Sequence, residues 1–448
     1  MGYGLVLSGG GAKGSFEIGV WKALRELSIE IDAVVGTSVG ALNGAVIAQN
    51  DFDKAMHFWS NLSMDQVFSF NKDITDKYVN DWSKQSWNQF TASFKSYVFE
   101  GGLDITPLKE FLHRNIDEEK VRNSPIRFGL VTYSLTDFEP LELMIEDIPQ
   151  GQLVDYLLAS ASFPTFKRHE IDGKTFIDGA VYNNMPMDLL INQGYQKLIT
   201  VELPSLGRKR TPDKSKDLEI VHIKNSEHLG LILEFDPQRM QKNITIGYLD
   251  ALKKFGAVEG KHYYLKTKDN RIYHRFKSRV GSPCHFASTT LHNNVHVLLG
   301  LESFTDEDEI TQCIRQNIGY TMFKKEEIPL AMLEITAKTL DIDRLQIYTA
   351  DQLIKKIFKT ANALIDDQLK LLKSDMSILE AFRAKEEFEI DPATSLKFLA
   401  YYIYFLSLSA KQDAKNKQLL TKLISRFTPD ITLSILTLLY LTEKQPVR

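Results

Sequence analysis

A single serine between closely spaced glycines restricts the fold of this chain more than any other feature. Ser38 is the centre of Gly36-Thr37-Ser38-Val39-Gly40, which lies between an apolar run and a stretch of helical character. A G-x-S-x-G pattern in this context predicts a sharp strand-to-helix turn that lifts the serine hydroxyl clear of the backbone. Gly36 and Gly40 would let the turn close because they carry no Cβ atom.

The segments around this serine predict a βαβ crossover at the start of the chain. Two strands, Tyr3–Leu7 and Asp32–Gly36, would precede the turn, and helices would cover Ser15–Leu27 and Val39–Gln49. An ordinary α/β-hydrolase places several strands before its serine, so the order here is different. Strands and helices alternate to about residue 260, which predicts an α/β fold with a mainly parallel sheet.

A glycine-rich loop, Gly9-Gly10-Gly11-Ala12-Lys13-Gly14, follows the first predicted strand. Its backbone N–H groups could hold a negatively charged oxygen and so form an oxyanion hole. The loop also fits the G-x-G-x-x-G spacing of dinucleotide-binding turns, although it lacks the Gly-Lys-Ser/Thr ending of a P-loop. Dinucleotide binding further requires an acidic residue at the end of the second strand. Asp32 lies at the start of that strand, so nucleotide binding is the weaker interpretation.

A third motif region begins about 120 residues after Ser38. Ala159-Ser160-Ala161-Ser162-Phe163-Pro164 is followed by a predicted hairpin over Lys167–Ile177, with Asp172-Gly173 as its two-residue turn. Asp178-Gly179-Ala180 and then Asn183-Asn184-Met185-Pro186 come next. With the glycine loop and the serine turn, these motifs occur in an order that resembles the patatin-like phospholipase family, across roughly residues 1–260.

This resemblance implies a three-layer α/β/α fold and a Ser–Asp dyad that works without histidine. Ser38 would be the nucleophile and Asp178 the base, with Gly179 and Ala180 completing the motif after the aspartate. The loop from Gly9 to Gly14 would be the oxyanion hole. Lys13 stands where many members have arginine, a departure of small expected effect because the donors are backbone amides. No metal or organic cofactor is expected.

Three sets of residues leave alternatives open. His222 and His228 follow Asp178 in the order of a Ser–Asp–His triad, whereas His169 precedes it. His285, His292 and His296 cluster near Cys284, but no acidic ligand accompanies them, so a metal site is not predicted. Basic residues in the loop after a predicted strand, namely Arg208, Lys209, Arg210, Lys214 and Lys216, form either a solvated loop or a contact with anionic headgroups.

Composition divides the chain into two predicted domains. Residues 1–300 would form the catalytic domain, with an aromatic-rich cap at about 51–100 that packs over the core, lines an acyl channel or faces lipid. Residues 301–448 read as an all-helical lobe of unknown role. Two apolar runs there, Phe398–Leu408 and Ile431–Leu441, are too short to span a membrane. The net charge of −4 does not favour a nucleic-acid partner.

The motifs together predict a serine lipid acyl hydrolase, of the phospholipase A or lipase type, with a lipid ester as substrate. Two alternatives remain: an acyltransferase that uses the same dyad, and a regulatory protein-binding module with vestigial activity. Met1-Gly2 runs straight into the first strand, so no signal peptide is expected. The expected location is cytoplasmic, with peripheral membrane contact left open. A protein partner of the helical lobe is not identified by the sequence.

Overall fold

The computed structural model describes residues 2–69, 102–210, 217–268, 270–280 and 327–372, and five positions between 433 and 441. These residues belong to two compact units, 1–256 and 257–448. The predicted domain boundary near residue 300 lies outside the described residues. So do most of the predicted aromatic cap, the histidine cluster near Cys284, the apolar run Phe398–Leu408 and the basic residues Lys214 and Lys216.

An eight-stranded sheet forms the centre of the first unit. Its strands are β1 (Tyr3–Leu7), β2 (Ile31–Thr37), β3 (Arg127–Ser134), β4 (Glu139–Met144), β5 (His169–Ile171), β6 (Lys174–Asp178), β7 (Lys197–Glu202) and β8 (Glu219–Lys224). The order is β5-β6-β3-β2-β1-β7-β8, and β4 pairs with β3. Pairings between β2, β1, β7, β8 and β3 are parallel, whereas β4, β5 and β6 pair antiparallel. The predicted α/β class with a mainly parallel sheet is confirmed.

The central strands are short and apolar because helices cover both of their faces. In β1 every residue from Gly4 to Leu7 is buried, and β2 is buried from Ala33 onward. The described helices of this unit are α1 (Ser15–Glu26), α2 (Val39–Ala48), α3 (Phe52–Asn61), α4 (Thr106–Asn115), α5 (Glu118–Arg122), α6 (Leu153–Ser160), α7 (Met187–Asn192) and α8 (Pro237–Lys254). Parallel strands ordered in this way bring the ends of β1 and β2 side by side.

Two local predictions have a clear physical basis in the structure. The hairpin β5–β6 turns through Asp172 and Gly173, which have φ values of 50° and 75°. Two residues with positive φ are typical of a type I′ turn, and an Asp-Gly pair adopts it readily. Helix α8 begins at Pro237, and the Asp236 side chain accepts a hydrogen bond from the Arg239 amide, as an N-cap does.

The second unit is mainly helical, as predicted for the C-terminal part. Its described helices are α9 (Arg271–Val280), α10 (Ile328–Thr339) and α11 (Ala350–Leu372). It differs from the prediction in one respect, because β9 (Tyr264–Lys266) and β10 (Ile347–Thr349) form a two-stranded parallel sheet. In the parts of the chain that the structure describes, no helix is long and apolar enough to cross a membrane.

Candidate active site

Ser38 occupies a sharp turn between β2 and α2. Its φ of 57° and ψ of −128° lie in a region that residues with a side chain rarely adopt. The glycines on either side are required by close packing. A Cβ atom at Gly36 would lie 2.2 Å from the backbone of Gly40, and one at Gly40 would lie 2.5 Å from the Leu7 carbonyl oxygen. Backbone strain held by such packing is common at functional sites.

The glycine loop runs beside this turn. A Cβ atom at Gly9 would lie 2.9 Å from the Ser38 Cβ, and one at Gly14 would lie 2.5 Å from a Val39 methyl group. Residues 11–14 form one turn of 3-10 helix that begins at Gly11, where φ is 57°. The loop and the serine turn are therefore packed together through positions that tolerate no side chain.

The amides of the loop differ in their availability. The Gly9 N–H donates to Asn184 Oδ1 at 2.9 Å, the Ala12 N–H to the Ile232 carbonyl at 2.8 Å, and the Lys13 N–H to the Gly10 carbonyl at 3.3 Å. The N–H groups of Gly10 and Gly11 have no acceptor among the described residues. Of the six predicted oxyanion residues, Gly10 and Gly11 thus offer the unoccupied donors next to Ser38.

The side chain of Lys13, which stands where many patatin-like proteins have arginine, is bonded to a neighbouring segment of the chain. Its ammonium group donates to the Pro204 carbonyl at 2.5 Å. Partial burial lowers the pKa of the Lys13 side chain, and Glu234 opposes this by favouring the charged form. The side chain thus fastens the glycine loop to the segment after β7.

Asp178 lies at the end of β6, where the Ser38 hydroxyl reaches it. Ser38 Oγ donates to Asp178 Oδ2 at 2.6 Å, and the Ala180 N–H donates to the other carboxylate oxygen at 2.8 Å. Asp178 is 4% exposed and Ser38 is 9% exposed. A Cβ atom at Gly179 would lie 2.2 Å from the Val131 carbonyl oxygen, which explains the glycine there.

Burial changes the acid strength of this carboxyl group. It raises the pKa of Asp178 to about 6, and the hydrogen bonds from Ser38 and Ala180 act in the opposite direction. An ionised carboxylate with this pKa accepts a proton more readily than an exposed aspartate does. At neutral pH it is still mostly ionised, and so it can act as a base.

The C-terminal end of α6 and the residues just after it hold both members of the pair. Ser160 Oγ accepts a hydrogen bond from the Ser38 N–H at 2.9 Å and donates to the Val131 carbonyl at 2.7 Å. The Ser162 carbonyl accepts from the Asp178 N–H at 2.8 Å. This segment is part of the Ala159–Pro164 motif, for which no role was predicted. Its serines position the backbone of Ser38 and Asp178.

The histidines considered as triad members are engaged elsewhere. His222 is hydrogen-bonded through Nδ1 to Thr200 Oγ1 and through Nε2 to Glu202 Oε2, at 2.5 and 2.6 Å. His228 Nδ1 accepts from the Gly230 N–H at 3.0 Å. No histidine is among the described residues that line the cavity at Ser38. Likewise, no group of three or more metal-ligating side chains occurs in the described parts of the chain.

An apolar cavity extends from Ser38 and Asp178. The glycine loop lies at the same end, through Gly9, Gly10 and Gly11. Most of its wall is aliphatic or aromatic and comes from distant segments, namely Leu42, Val46, Phe58, Trp59, Leu62, Val67, Leu108, Phe111, Leu112, Ile116, Phe163, Phe166, Ile232, Leu233 and Phe235. Phe58 and Trp59 belong to the described beginning of the predicted aromatic cap, so this part of it lines the cavity. Trp82 and Trp87 lie outside the described residues.

One wall of the cavity carries a buried polar network that was not predicted from the sequence. Asn43 of α2 donates to the Gly14 carbonyl at 3.0 Å and to Glu17 Oε2 at 2.7 Å, and its own oxygen accepts from the Trp59 indole N–H at 2.9 Å. Burial raises the pKa of Glu17 well above its usual range, which favours the neutral acid. Asn43 thereby links α2, which follows Ser38, to the glycine loop and to Trp59 in the cavity wall.

The N-terminal part of the chain is similar to known proteins. Residues 5–191 match the family model described as patatin-like phospholipase. The neuropathy target esterase sws of Drosophila melanogaster is 25% identical in an alignment that covers 58% of this chain and 19% of that protein. The lysophospholipase NTE1 of Mycosarcoma maydis is 26% identical over 46% of this chain and 10% of its own length. The chain thus spans a fifth or less of these relatives.

The crystal structure of VipD from Legionella pneumophila is also similar in part. It aligns with 100% of this chain and 92% of its own, at 12% identity and a TM-score of 0.36. The match of residues 5–191 to the patatin-like phospholipase family model confirms the resemblance carried by the four motifs.

Proposed function

We propose that this protein is a serine hydrolase of lipid esters, with Ser38 as nucleophile and Asp178 as its general base. The observation that carries this proposal is the 2.6 Å hydrogen bond from Ser38 Oγ to Asp178 Oδ2 at the end of an apolar cavity. A serine hydroxyl becomes a nucleophile when a base lies within hydrogen-bond reach. The apolar cavity suits an acyl chain, and the family and the relatives' names support a lipid substrate.

The reaction would proceed in two halves. Asp178 takes the proton of the Ser38 hydroxyl as Oγ attacks the ester carbonyl carbon. The negative oxygen that develops is held by the free N–H groups of Gly10 and Gly11. When the intermediate collapses, the bond to the alcohol oxygen breaks, and the leaving alkoxide takes the proton from Asp178. Asp178 then deprotonates a water molecule that attacks the acyl-serine, which releases the fatty acid and restores Ser38.

The oxyanion donors and the base would each contribute to lowering the activation free energy. A single oxyanion donor typically contributes roughly 2.7–4 kcal/mol to the transition state, which is the effect expected of each free amide. The raised pKa of Asp178, about 6, brings the base closer to the operating pH. Because the base is a carboxylate, no histidine tautomer has to be maintained.

The direct test is turnover with defined lipids. Lysophosphatidylcholine, phosphatidylcholine and triacylglycerol should each be offered to the purified protein, and released fatty acid should be measured. Ser38→Ala and Asp178→Asn should each reduce release by a factor on the order of 10³ or more, and the double variant should be hardly worse. Near-full activity of Ser38→Ala would refute the mechanism.

The chain contains a matched control for covalent labelling. Ser134 Oγ donates to Asp137 Oδ2 at 2.9 Å, so it is also a buried serine on an aspartate. It does not line the cavity, however, and Lys174 and Ser134 hold the pKa of Asp137 below its ordinary value. A fluorophosphonate probe should modify Ser38 alone, as peptide mass spectrometry would reveal. Labelling of Ser134 at the same rate would contradict the assigned activation.

A further inference from the structure

The loop after β7 carries an unusual leucine. Leu206 is 90% exposed, the highest value among the large apolar side chains of the described residues. It also contributes to the lining of the cavity that holds Ser38 and Asp178. The cavity therefore meets solvent beside a fully solvated leucine. We call the described part of this loop, residues 203–210, the rim loop.

The backbone of the rim loop is fixed although its side chains are exposed. The Leu203 N–H donates to Ser8 Oγ at 2.8 Å, and Ser205 Oγ accepts from Asn184 Nδ2 at 2.8 Å. The Arg208 N–H donates to the Ala180 carbonyl at 2.9 Å, and the Arg208 carbonyl accepts from the Asn184 N–H at 2.6 Å. Leu206 is thus presented to solvent by a loop that is bonded on both sides of it.

A second apolar residue is exposed at another loop of the same cavity. Val181, 47% exposed, follows Ala180, and Ala180 lines the cavity. Leu231, 38% exposed, precedes Ile232, another lining residue. Three separate loops at the cavity therefore each carry an exposed apolar side chain in or next to its lining. Scattered surface leucines are ordinary, but this grouping marks an interaction surface.

Charge indicates what kind of surface would meet these residues. Arg208, Lys209 and Arg210 come after Leu206 and Gly207, and all three are exposed. Lys209 pairs with Glu202, and Arg210 contacts Asp188 at 3.9 Å and the Tyr182 hydroxyl. The Arg208 side chain has no ion pair with any described residue. An exposed leucine followed by an available arginine suits a membrane surface, where the leucine enters the acyl boundary and the arginine meets anionic headgroups.

We propose that the rim loop docks this domain onto anionic lipid surfaces through Leu206 and Arg208. The proposal rests on the proposed function in that the substrate would then lie in the surface to which the loop binds. Docking would place the cavity that holds Ser38 against the layer that contains the esters. A neutral lipid surface would lack the negative charge that complements Arg208.

The test measures binding, so it does not depend on hydrolysis. The full chain with Ser38→Ala, which leaves vesicles unchanged, should be floated with vesicles of phosphatidylcholine alone or mixed with phosphatidylglycerol. It should bind the mixed vesicles and bind the neutral ones far less. Leu206→Asp should lower the partition coefficient about tenfold or more, each tenfold being about 1.4 kcal/mol. Arg208→Gln should lower it about fivefold, and only with phosphatidylglycerol.

Phe138 offers the matched control. It is 78% exposed in the turn between β3 and β4 and does not line the cavity. Phe138→Asp should bind vesicles as the parent does. Equal losses for the two aspartate variants, or no vesicle binding by the parent, would overturn the proposal. So would a finding by sedimentation, without lipid, that Leu206→Asp abolishes self-association, because a second copy would then be the occupant.

A second variant and a comparison of vesicle binding with hydrolysis distinguish the remaining outcomes. If Leu206→Asp lowers the melting temperature, Leu206→Gln supplies the same comparison, since it removes the apolar contact without adding a charge. Vesicle binding by a parent that hydrolyses no lipid ester would contradict the proposed function and support docking. Hydrolysis by the parent, with vesicle binding unaltered in both Leu206 variants, would support the proposed function and contradict docking through the rim loop.

Discussion

Replacing Asp178 with asparagine should inactivate the protein and at the same time stabilise it. The buried carboxyl must be ionised to accept the proton of Ser38, yet ionisation is unfavourable inside the domain. Asparagine has the same shape and can keep the hydrogen bond from the Ala180 N–H, but it carries no charge. The substitution therefore removes the cost of ionisation together with the base.

The size of the effect follows from the two pKa values. The pKa of Asp178 is about 6, against an ordinary value of 3.8. Because the folded state holds the proton more tightly, the unfolding free energy falls as pH rises between these values. At 1.36 kcal/mol for each pH unit, the ionised carboxylate costs the folded state about 3 kcal/mol above pH 6. Below 3.8 both states are protonated and this cost vanishes.

Thermal unfolding of the parent and Asp178→Asn should be compared from pH 4 to pH 8. At pH 8 the variant should melt roughly 6–12 °C higher, since a domain of this size gains about 2–4 °C for each kcal/mol. The difference should shrink as pH falls through 6 and nearly disappear at pH 4. Ser38→Ala supplies the contrast. It removes a hydrogen bond that lowers the pKa of Asp178, so it should melt lower than the parent at pH 8.

Two results would refute this reasoning. One is an Asp178→Asn variant that is no more stable than the parent at pH 8. The other is a gain in stability of the same size at pH 4 and pH 8, because ionisation of the carboxyl could not then be its source.

Four further predictions concern the same domain. The value of kcat/KM should rise with pH to a plateau above about 6, the pKa of Asp178, and a flat profile from pH 5 to 8 would exclude this base. Gly40→Ala should fail to fold, because its methyl group would lie 2.5 Å from a main-chain carbonyl, whereas Gly44→Ala in the same helix has its nearest contact at 3.2 Å and should stay soluble. Gly10→Ala should reduce kcat about a hundredfold with little change in KM, as steady-state kinetics would show, because its methyl group would lie 2.7 Å from a Leu203 methyl group and so displace the free amide. Asn43→Leu should cost about 1–3 kcal/mol in denaturant unfolding, because it leaves a buried indole N–H unpaired.

The sequence predicted those parts of the site that depend on backbone shape. Gly36, Gly40 and Gly179 are glycines because another main chain passes within 2.5 Å of where a Cβ would be. Such positions leave a visible pattern. The Asp172-Gly173 turn was predictable for a different backbone reason, since both residues take positive φ.

Features that depend on contacts between distant side chains were not predictable. Asn43 and Trp59 lie in two different helices, and their spacing in the sequence does not predict the hydrogen bond between them. The cavity wall is drawn from short, separate segments without a common period. In the second unit, β9 and β10 have three residues each, and they join positions about eighty residues apart. A strand of that length carries no recognisable alternation.

Ser38 and Asp178 are both hydrogen-bonded to one short segment, and this has a consequence for protein engineering. The Ser160 hydroxyl and the Ser162 carbonyl fix the two backbones, and the contacts at Leu7 and Val131 come from the sheet. None of these anchors lies between residues 51 and 115, although α3 and α4 supply much of the cavity wall. Cavity-wall side chains of α3 and α4 such as Phe58 and Phe111 could be exchanged for smaller or larger ones to change which acyl chains fit, while the reacting atoms keep their separation.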